Sequence, residues 1–474
     1  MRTTILRPLF LFAFAPFAVA CSEGTVSDDL DLVDGGGTGE EGGFTLDGGE
    51  DALSFDVPDG VAKPCEGLRC QQTTCTGGAD TTITGTVYAP NGKLPLYNVI
   101  VYVPNLTPLP LTKGATCDKC GAVASGDPIV TALTDYQGKF TLKNVPVGSD
   151  IPLVIQLGKW RRQVKIPSVK ACVDNPLTDP NVTRLPRNQK EGDMPKIAVT
   201  LGGCDKLSCM LPKVGIDASE FGADGSPAAV HFYQPGGGFF GGGGPAGMKD
   251  ARVLWDNPAK LKEYDIAIFS CECFENSPGS KDAKSFAAVD QYLKAGGRIF
   301  TTDFQYLWYK SSPDPAMKAV MPIPGGAPSG TNPVDLDTSF TKGKALADWM
   351  SYVDKSVTYG KVQCDYVFNN FSPADKTKAQ VWAHSKGISG AAGSSINPRF
   401  VTINTPVGKP IEEQCGKAVH LDAHINGSDT IDGSFPAGCK SAIKAGEEAF
   451  AFFFFDLASC IQKDGDPPKP PPVK

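Results

Sequence analysis

Fifteen cysteines behind an apolar leader limit this 474-residue chain more than any other feature of it. The chain opens MRTTILRPLFLFAFAPFAVACSEG, in which Arg2 and Arg7 supply positive charge and Pro8 to Ala20 is an apolar run of 13 residues. A helix that crosses a bilayer needs about 20 residues, so this run is too short to span and has the length of an export signal. Export carries thiols into an oxidising compartment, where disulfides form and persist. The expected fold is therefore one reinforced by cysteine pairs.

The tract Ala18-Val19-Ala20-Cys21 has two readings. As A-x-A it suits an ordinary signal peptidase. As small-x-small-Cys it resembles the lipobox of bacterial lipoproteins, with Ala18 standing where leucine is usual. That resemblance implies removal of residues 1–20 as a signal peptide, lipid attachment at Cys21 and anchorage by buried acyl chains. Ser22 follows the cysteine, which in lipoproteins favours the outer membrane, with the body facing the periplasm or the cell surface. Setting Cys21 aside leaves fourteen cysteines: Cys65, Cys70, Cys75, Cys117, Cys120, Cys172, Cys204, Cys209, Cys271, Cys273, Cys364, Cys415, Cys439 and Cys460. The even number leaves no remainder, and all fourteen are expected to pair, with connectivity open.

Residues 21–62 hold 12 acidic side chains, no Lys or Arg, and glycine throughout. Such a segment buries too little apolar surface to offset its ordering entropy, and self-repulsion extends it. It reads as a disordered tether. It also accounts for the formal charge of −7, leaving a near-neutral body with no basic footprint for nucleic acid.

From Thr81 to Pro167 short runs such as TTITGTVYAP, NVIVYVPN, KFTLKNVPV and IPLVIQLG alternate with Gly, Pro, Asn and Asp turns, the signature of an all-β unit. Gly85, Val87, Gly92, Pro95, Val99 and Val101, then Thr134-Asp135-Tyr136-Gln137-Gly138-Lys139-Phe140 and Val145-Pro146-Val147-Gly148, resemble the carboxypeptidase regulatory-like domain. The resemblance implies a transthyretin-like β-sandwich over residues 63–170, used for recognition or spacing. An insert carries Cys117-x-x-Cys120. No second ligand pair follows nearby, as zinc would require, and the β setting is not that of a redox dithiol. Structural disulfides, local or to Cys65, Cys70 or Cys75, are expected. In GKWRRQVKI, alternation sets Trp160, Arg162, Val164 and Ile166 against a solvated face of Arg161, Gln163 and Lys165.

After a linker at 171–194 the pattern turns α/β. PKIAVTLGG, AAVHFYQ, YDIAIFS, RIFTTDF, RFVTIN and KAVHLDAHI read as strands; DKLSCMLPKVG, DAKSFAAVDQYLKAGG, KALADWMSYV and AGEEAFAFFFFDLAS read as helices. Phe286, Val289 and Leu293 mark one buried stripe, and Phe450, Phe453, Phe454 and Leu457 mark another. The block YDIAIFS…YLKAGGRIFTTDF…CGKAVHLDAH is similar to the class I glutamine amidotransferase-like fold, in its ThuA-like branch. That implies a flavodoxin-like α/β domain over residues 195–462, followed by a Pro-rich disordered tail at 463–474. The loop PGGGFFGGGGPAG lacks the Lys-Ser/Thr of a phosphate loop and the spacing of a dinucleotide fingerprint. No cofactor is expected.

Cys271 ends a strand, where hydrolases of this fold keep a nucleophile. Its neighbours are Ser270, Glu272 and Cys273, without the glycine a nucleophile elbow needs and with an acid that opposes the thiolate. Cys271 is therefore expected to be half of a disulfide. His420, Asp422 and His424 share a strand face and offer ligands for a divalent ion, but the histidines lie about 13 Å apart along a strand, too far for one ion unless the strand bends. Glu272, Asp303 and His424 are expected to converge in a crevice at the strand ends. The sequence reads as a multidomain, disulfide-reinforced lipoprotein, anchored to a membrane and binding a glycan or protein without catalysis. The alternatives are a hydrolase on sugar or amide substrates and a divalent-metal-binding module.

Overall fold

Residues 65–473 are described by a computed structural model, apart from 123, 237–242, 277–278, 327, 426–433 and 440. The leader, Cys21, the acidic tether and part of the glycine-rich loop lie outside these residues.

In KFTLK, Phe140 and Leu142 are buried while Lys139, Thr141 and Lys143 face water; this period-two pattern is what one covered sheet face produces. Seven strands form two such sheets. β1 (Thr82–Thr86) lies between β4 (Lys139–Lys143), antiparallel, and β7 (Asp174–Leu177), parallel. The other sheet runs β3 (Pro128–Leu133), β2 (Ile100–Pro104), β5 (Gly148–Leu157) and β6 (Trp160–Val169), all antiparallel. Ile83, Val101, Val103, Phe140, Leu142, Leu153 and Ile155 fill the interior. A Cβ on Gly85 would stand 2.9 Å from the Phe140 ring, so β1 needs glycine there to let the ring cross. Arg161 departs from the expected solvated face: it is buried, donating from Nε to Asp193 at 2.9 Å and from Nη1 to the Leu109 carbonyl at 2.7 Å. The incoming linker covers it and supplies its charge partner.

The remaining sheet has eleven strands. Its parallel part contains β8 (Ile197–Thr200), β10 (Val230–Gln234), β12 (Ile266–Phe269), β13 (Arg298–Thr302) and β19 (Gly416–Leu421), in the order β10-β8-β12-β13-β19. β9 (Phe221–Ala223) and β11 (Lys249–Asp250) flank β10. Beyond β19 the sheet turns antiparallel through β18 (Ile396–Thr405), β17 (Gln380–Lys386), β14 (Val334–Leu336) and β15 (Lys361–Val362). β16 (Tyr366–Val367) and β20 (Ala423–His424) pair separately. The chain reverses its lateral direction between β8 and β12, and a crevice opens at the carboxyl ends of strands at such a point.

Three long helices cover the sheet. α1 (Ala283–Lys294) starts where Asp282 accepts from the Lys284 and Ser285 amides and stops before Gly296, at φ +103°, as the Gly-Gly signal predicts. α2 (Thr341–Val353) packs on α3 (Ala445–Ala458). The expected stripe on α3 understates its burial: every residue from Gly446 to Ala458 is buried. Phe450 and Phe453 meet Phe300 and Phe400 of the sheet at 4.6 and 5.9 Å. On the other side Phe452 stacks on Tyr97 at 5.9 Å, and Phe455 tilts against Trp160 at 6.3 Å. A helix whose aromatic side chains point to both sides is a core element, and α3, its buried Asp456 paired with lysines, is the shared core of sandwich and sheet. No helix among the described residues is long and apolar enough to cross a membrane.

The segment 463–473, expected to be a disordered tail, is held to the body. Asp464 is buried and pairs with Lys342 of α2 at 3.0 Å and Lys417 of β19 at 2.6 Å. The same lysines bind Asp456 of α3 at 2.6 and 2.9 Å, so two buried cations face two anions. The Pro471 carbonyl accepts from Thr131 of β3 at 2.8 Å. A buried charge must be paired, and Asp464 is fixed by that requirement.

Among the described residues six disulfides form: Cys65–Cys70, Cys75–Cys172, Cys117–Cys415, Cys120–Cys460, Cys204–Cys273 and Cys209–Cys439. The insert cysteines Cys117 and Cys120 therefore reach neither each other nor Cys65, Cys70 or Cys75; they staple the sandwich to the end of the α/β part. Cys271 and Cys364, expected to pair, are buried thiols. Cys273, at φ +72°, takes Cys204 as its partner, while the Cys271 sulfur bonds to Asp303.

Candidate functional site

The segments that follow β8, β12, β13 and β19 supply the site. After β8 the chain runs Leu201-Gly202-Gly203-Cys204-Asp205. A Cβ on Gly202 would lie 2.1 Å from the Cys271 carbonyl, so only glycine lets the two loops touch. The Cys204 amide donates to that carbonyl at 3.2 Å, and the Cys204–Cys273 bond locks the same contact covalently. After β13, Asp303 has φ +40° and opens a helical turn through Tyr306. A non-glycine residue in that region stores about 1–3 kcal/mol of strain. Gln305 holds the turn against the β12 loop, donating to the Ser270 carbonyl at 3.0 Å and accepting from Trp308 at 2.7 Å.

These constraints bring three side chains together. Cys271 Sγ donates to Asp303 Oδ2 at 3.1 Å, and His424 Nε2 meets the same oxygen at 3.1 Å. One donor atom from each residue lies within 4.8 Å of the other two. Cys271 and Asp303 are fully buried; the His424 side chain is 16 % exposed and is the trio's opening to solvent. Asp303 Oδ1 is buried with no hydrogen-bond partner, and the hydroxyls of Thr200, Ser270 and Thr302, at the ends of the same strands, are likewise unpartnered. The Phe368 ring stands edge-on to His424 at 4.8 Å.

Burial pushes the Cys271 thiol well above its ordinary pKa, and the Asp303 and Asp205 carboxylates push it further. Burial opposes a charged ring at His424, yet Asp205 and Asp303 hold its pKa above the usual value. The resting site is thus a protonated thiol beside a carboxylate whose other neighbour is a histidine. The thiol's proton is directed to Asp303 and not to the imidazole, so no histidine relay activates the sulfur.

Of the three residues expected at the strand ends, Asp303 and His424 meet, but Glu272 does not join them. It is buried in an ion pair with Lys281 and accepts from the Gly236 amide at 3.3 Å; Lys281 in turn lies between Trp255 and Trp308, 5.2 and 5.6 Å from their rings. Cys271 takes the place expected of Glu272. The face His420-Asp422-His424 is also broken up, because β19 ends at Leu421 and the chain re-pairs in β20. His420 contacts Thr301 at 2.9 Å and packs on Tyr309 and Phe371. Asp422 accepts from the Asn370 amide and side chain at 2.9 and 2.7 Å, beside Arg399 at 3.8 Å. Asp205, whose Oδ1 accepts from the Ile425 amide at 3.1 Å, was overlooked in the sequence. The GGCD tract directly after a buried strand was the available signal.

No family model matches the chain, and no curated protein matches it. Solved structures show partial likeness. A ThuA-like protein from Bacteroides uniformis is 12 % identical over 55 % of this chain and 89 % of its own, with a TM-score of 0.30. A type II cohesin–X-module–dockerin complex from Acetivibrio cellulolyticus is 17 % identical over 25 % of this chain and 67 % of its own, with a TM-score of 0.15. A 9R-lipoxygenase from Cyanothece is 16 % identical over 25 % of this chain and 18 % of its own, at 0.13. At these scores the likenesses bear on neither activity nor ligand.

Proposed function

We propose that this chain is an exported lipoprotein of the outer membrane, anchored through Cys21, whose body serves as a non-catalytic binding protein for a glycan or protein at the cell envelope. In this reading a transthyretin-like sandwich and a flavodoxin-like, ThuA-like α/β part follow an acidic tether. The observation that carries it is the set of six disulfides, a density that belongs to oxidising compartments. The hydrogen bond that ties the Cys271 thiol to a carboxylate supports binding over thiol catalysis.

The test is intact mass and thiol titration of the mature protein extracted from membranes. The reading expects a lipid-acylated Cys21 amino terminus, two thiols that titrate only after unfolding, and loss of membrane association in Cys21→Ala. An unacylated amino terminus, or a Cys271 that an alkylating reagent modifies rapidly in the native protein, overturns it.

A further inference from the structure

We propose that Cys271, Asp303 and His424 form a binding site for a zinc-type divalent cation, with three protein ligands and a fourth position open beside His424. The inference needs neither the lipid anchor nor a glycan ligand.

The donor set carries the first part of the argument. One sulfur, one carboxylate oxygen and one imidazole nitrogen surround a single point. A tetrahedral zinc ion with ligands at about 2.0–2.3 Å separates its donors by somewhat over 3 Å. The observed 3.1 Å from Asp303 to each partner needs only a small expansion. Mixed S/N/O donation selects zinc and its first-row neighbours over calcium or magnesium, which take oxygen.

A second observation is independent of that spacing. Asp303 is completely buried, its Oδ2 faces both partners, and its Oδ1 has no hydrogen-bond partner. An unpartnered carboxylate oxygen in the interior is costly, and Asp303 is further held at φ +40° to present that group. Asp205, buried and accepting from the Ile425 amide next to His424 at 3.1 Å, adds a second carboxylate. A divalent cation offsets this accumulation of negative charge. Cys271 would bind as a thiolate, its proton leaving to solvent.

The geometry is also rigid in the way a metal site requires. The three ligands come from the ends of β12, β13 and β20, and the Cys204–Cys273 bond, the Gly202 contact and Gln305 fix the loops between them. His420 and Asp422 are committed elsewhere and play no part.

The test uses the full mature protein in detergent. Zn²⁺ is added and removed by dialysis, and Co²⁺ is bound in its place. The proposal expects one retained equivalent of zinc and, in the cobalt protein, a sulfur-to-cobalt charge-transfer band in the near ultraviolet. Cys271→Ser abolishes the band, and Asp303→Asn and His424→Gln each weaken zinc by more than about tenfold. Cys364→Ser, which removes the other free thiol, leaves both unchanged. Native protein that binds cobalt without the band, or retains no zinc, overturns the proposal without recourse to any variant. So does a folded Cys271→Ser protein that binds zinc as the native one does.

Discussion

Lys417 on the central strand β19 and Asp464 beyond the last helix meet at 2.6 Å in the protein interior. The pair closes a four-membered cluster with Lys342 and Asp456, and Thr402 donates to the other Asp464 oxygen at 2.6 Å. Asp464→Asn leaves two buried ammonium groups facing one carboxylate and is expected to cost about 3–5 kcal/mol, read from urea denaturation. Lys342→Met combined with Asp464→Asn restores charge parity and should cost less than the sum of the single changes. Burial opposes ionisation of Asp464, yet Lys417 and Lys342 hold its pKa below the ordinary carboxylate range. Its contribution is therefore present at neutral pH and is lost as the solution is acidified below about pH 4.

Glu448 has the opposite sign. Burial first, then Asp354 and Glu447, push its pKa up from 4.5 to about 7, and its Oε2 is buried without a partner. The folded protein favours the protonated acid, so stability is full at acid pH and declines as pH rises through that value. Glu448→Gln should gain about 1–2 kcal/mol at pH 8 after allowance for partial solvation, and nothing at pH 4. Paired thermal melts at the two pH values check this.

Removing both halves of Cys120–Cys460 and both halves of Cys65–Cys70 makes a controlled comparison. The first joins residues 340 positions apart and the second residues 5 apart. Loop-closure entropy grows with the length of chain closed, and even by the shorter path through Cys117–Cys415 the first bond closes the whole 415–460 segment, so the Cys120→Ser, Cys460→Ser protein should lose about 2–5 kcal/mol. The Cys65→Ser, Cys70→Ser protein should lose clearly less. Equal losses by denaturant titration would contradict the entropic account.

Phe452 of α3 touches Tyr97 of the sandwich side and Trp349 of α2. Phe452→Ala is expected to cost about 3–5 kcal/mol, because its buried ring packs among Tyr97, Trp349 and Trp382 and its removal leaves a cavity. Leu106, 64 % exposed, is the control: Leu106→Ala should shift the denaturation midpoint little.

Strand and helix positions were legible because local patterns decide them. YDIAIFS became β12, RIFTT became β13, and the Gly-Gly stop ended α1. The burial of α3 on all sides was not legible as a position, since the run of phenylalanines says that something covers each face but not which sheet does. The fate of Cys271 was beyond sequence for a different reason. Cys271 and Cys273 are two residues apart, and strand alternation gives them one face. The left-handed turn at Cys273 separates them, sending one sulfur to Cys204 and leaving the other at Asp303. Glu272 was misplaced because its counter-ion, Lys281, arrives from a loop nine residues later.

The staples Cys117–Cys415 and Cys120–Cys460 turn most of the backbone into a closed ring. A nick at any peptide bond between residues 121 and 414 opens that ring without separating the pieces, which stay tethered at least twice through sulfur. A protein so built can lose chain continuity on an exposed loop and still hold its two layers around α3, until a reductant releases them.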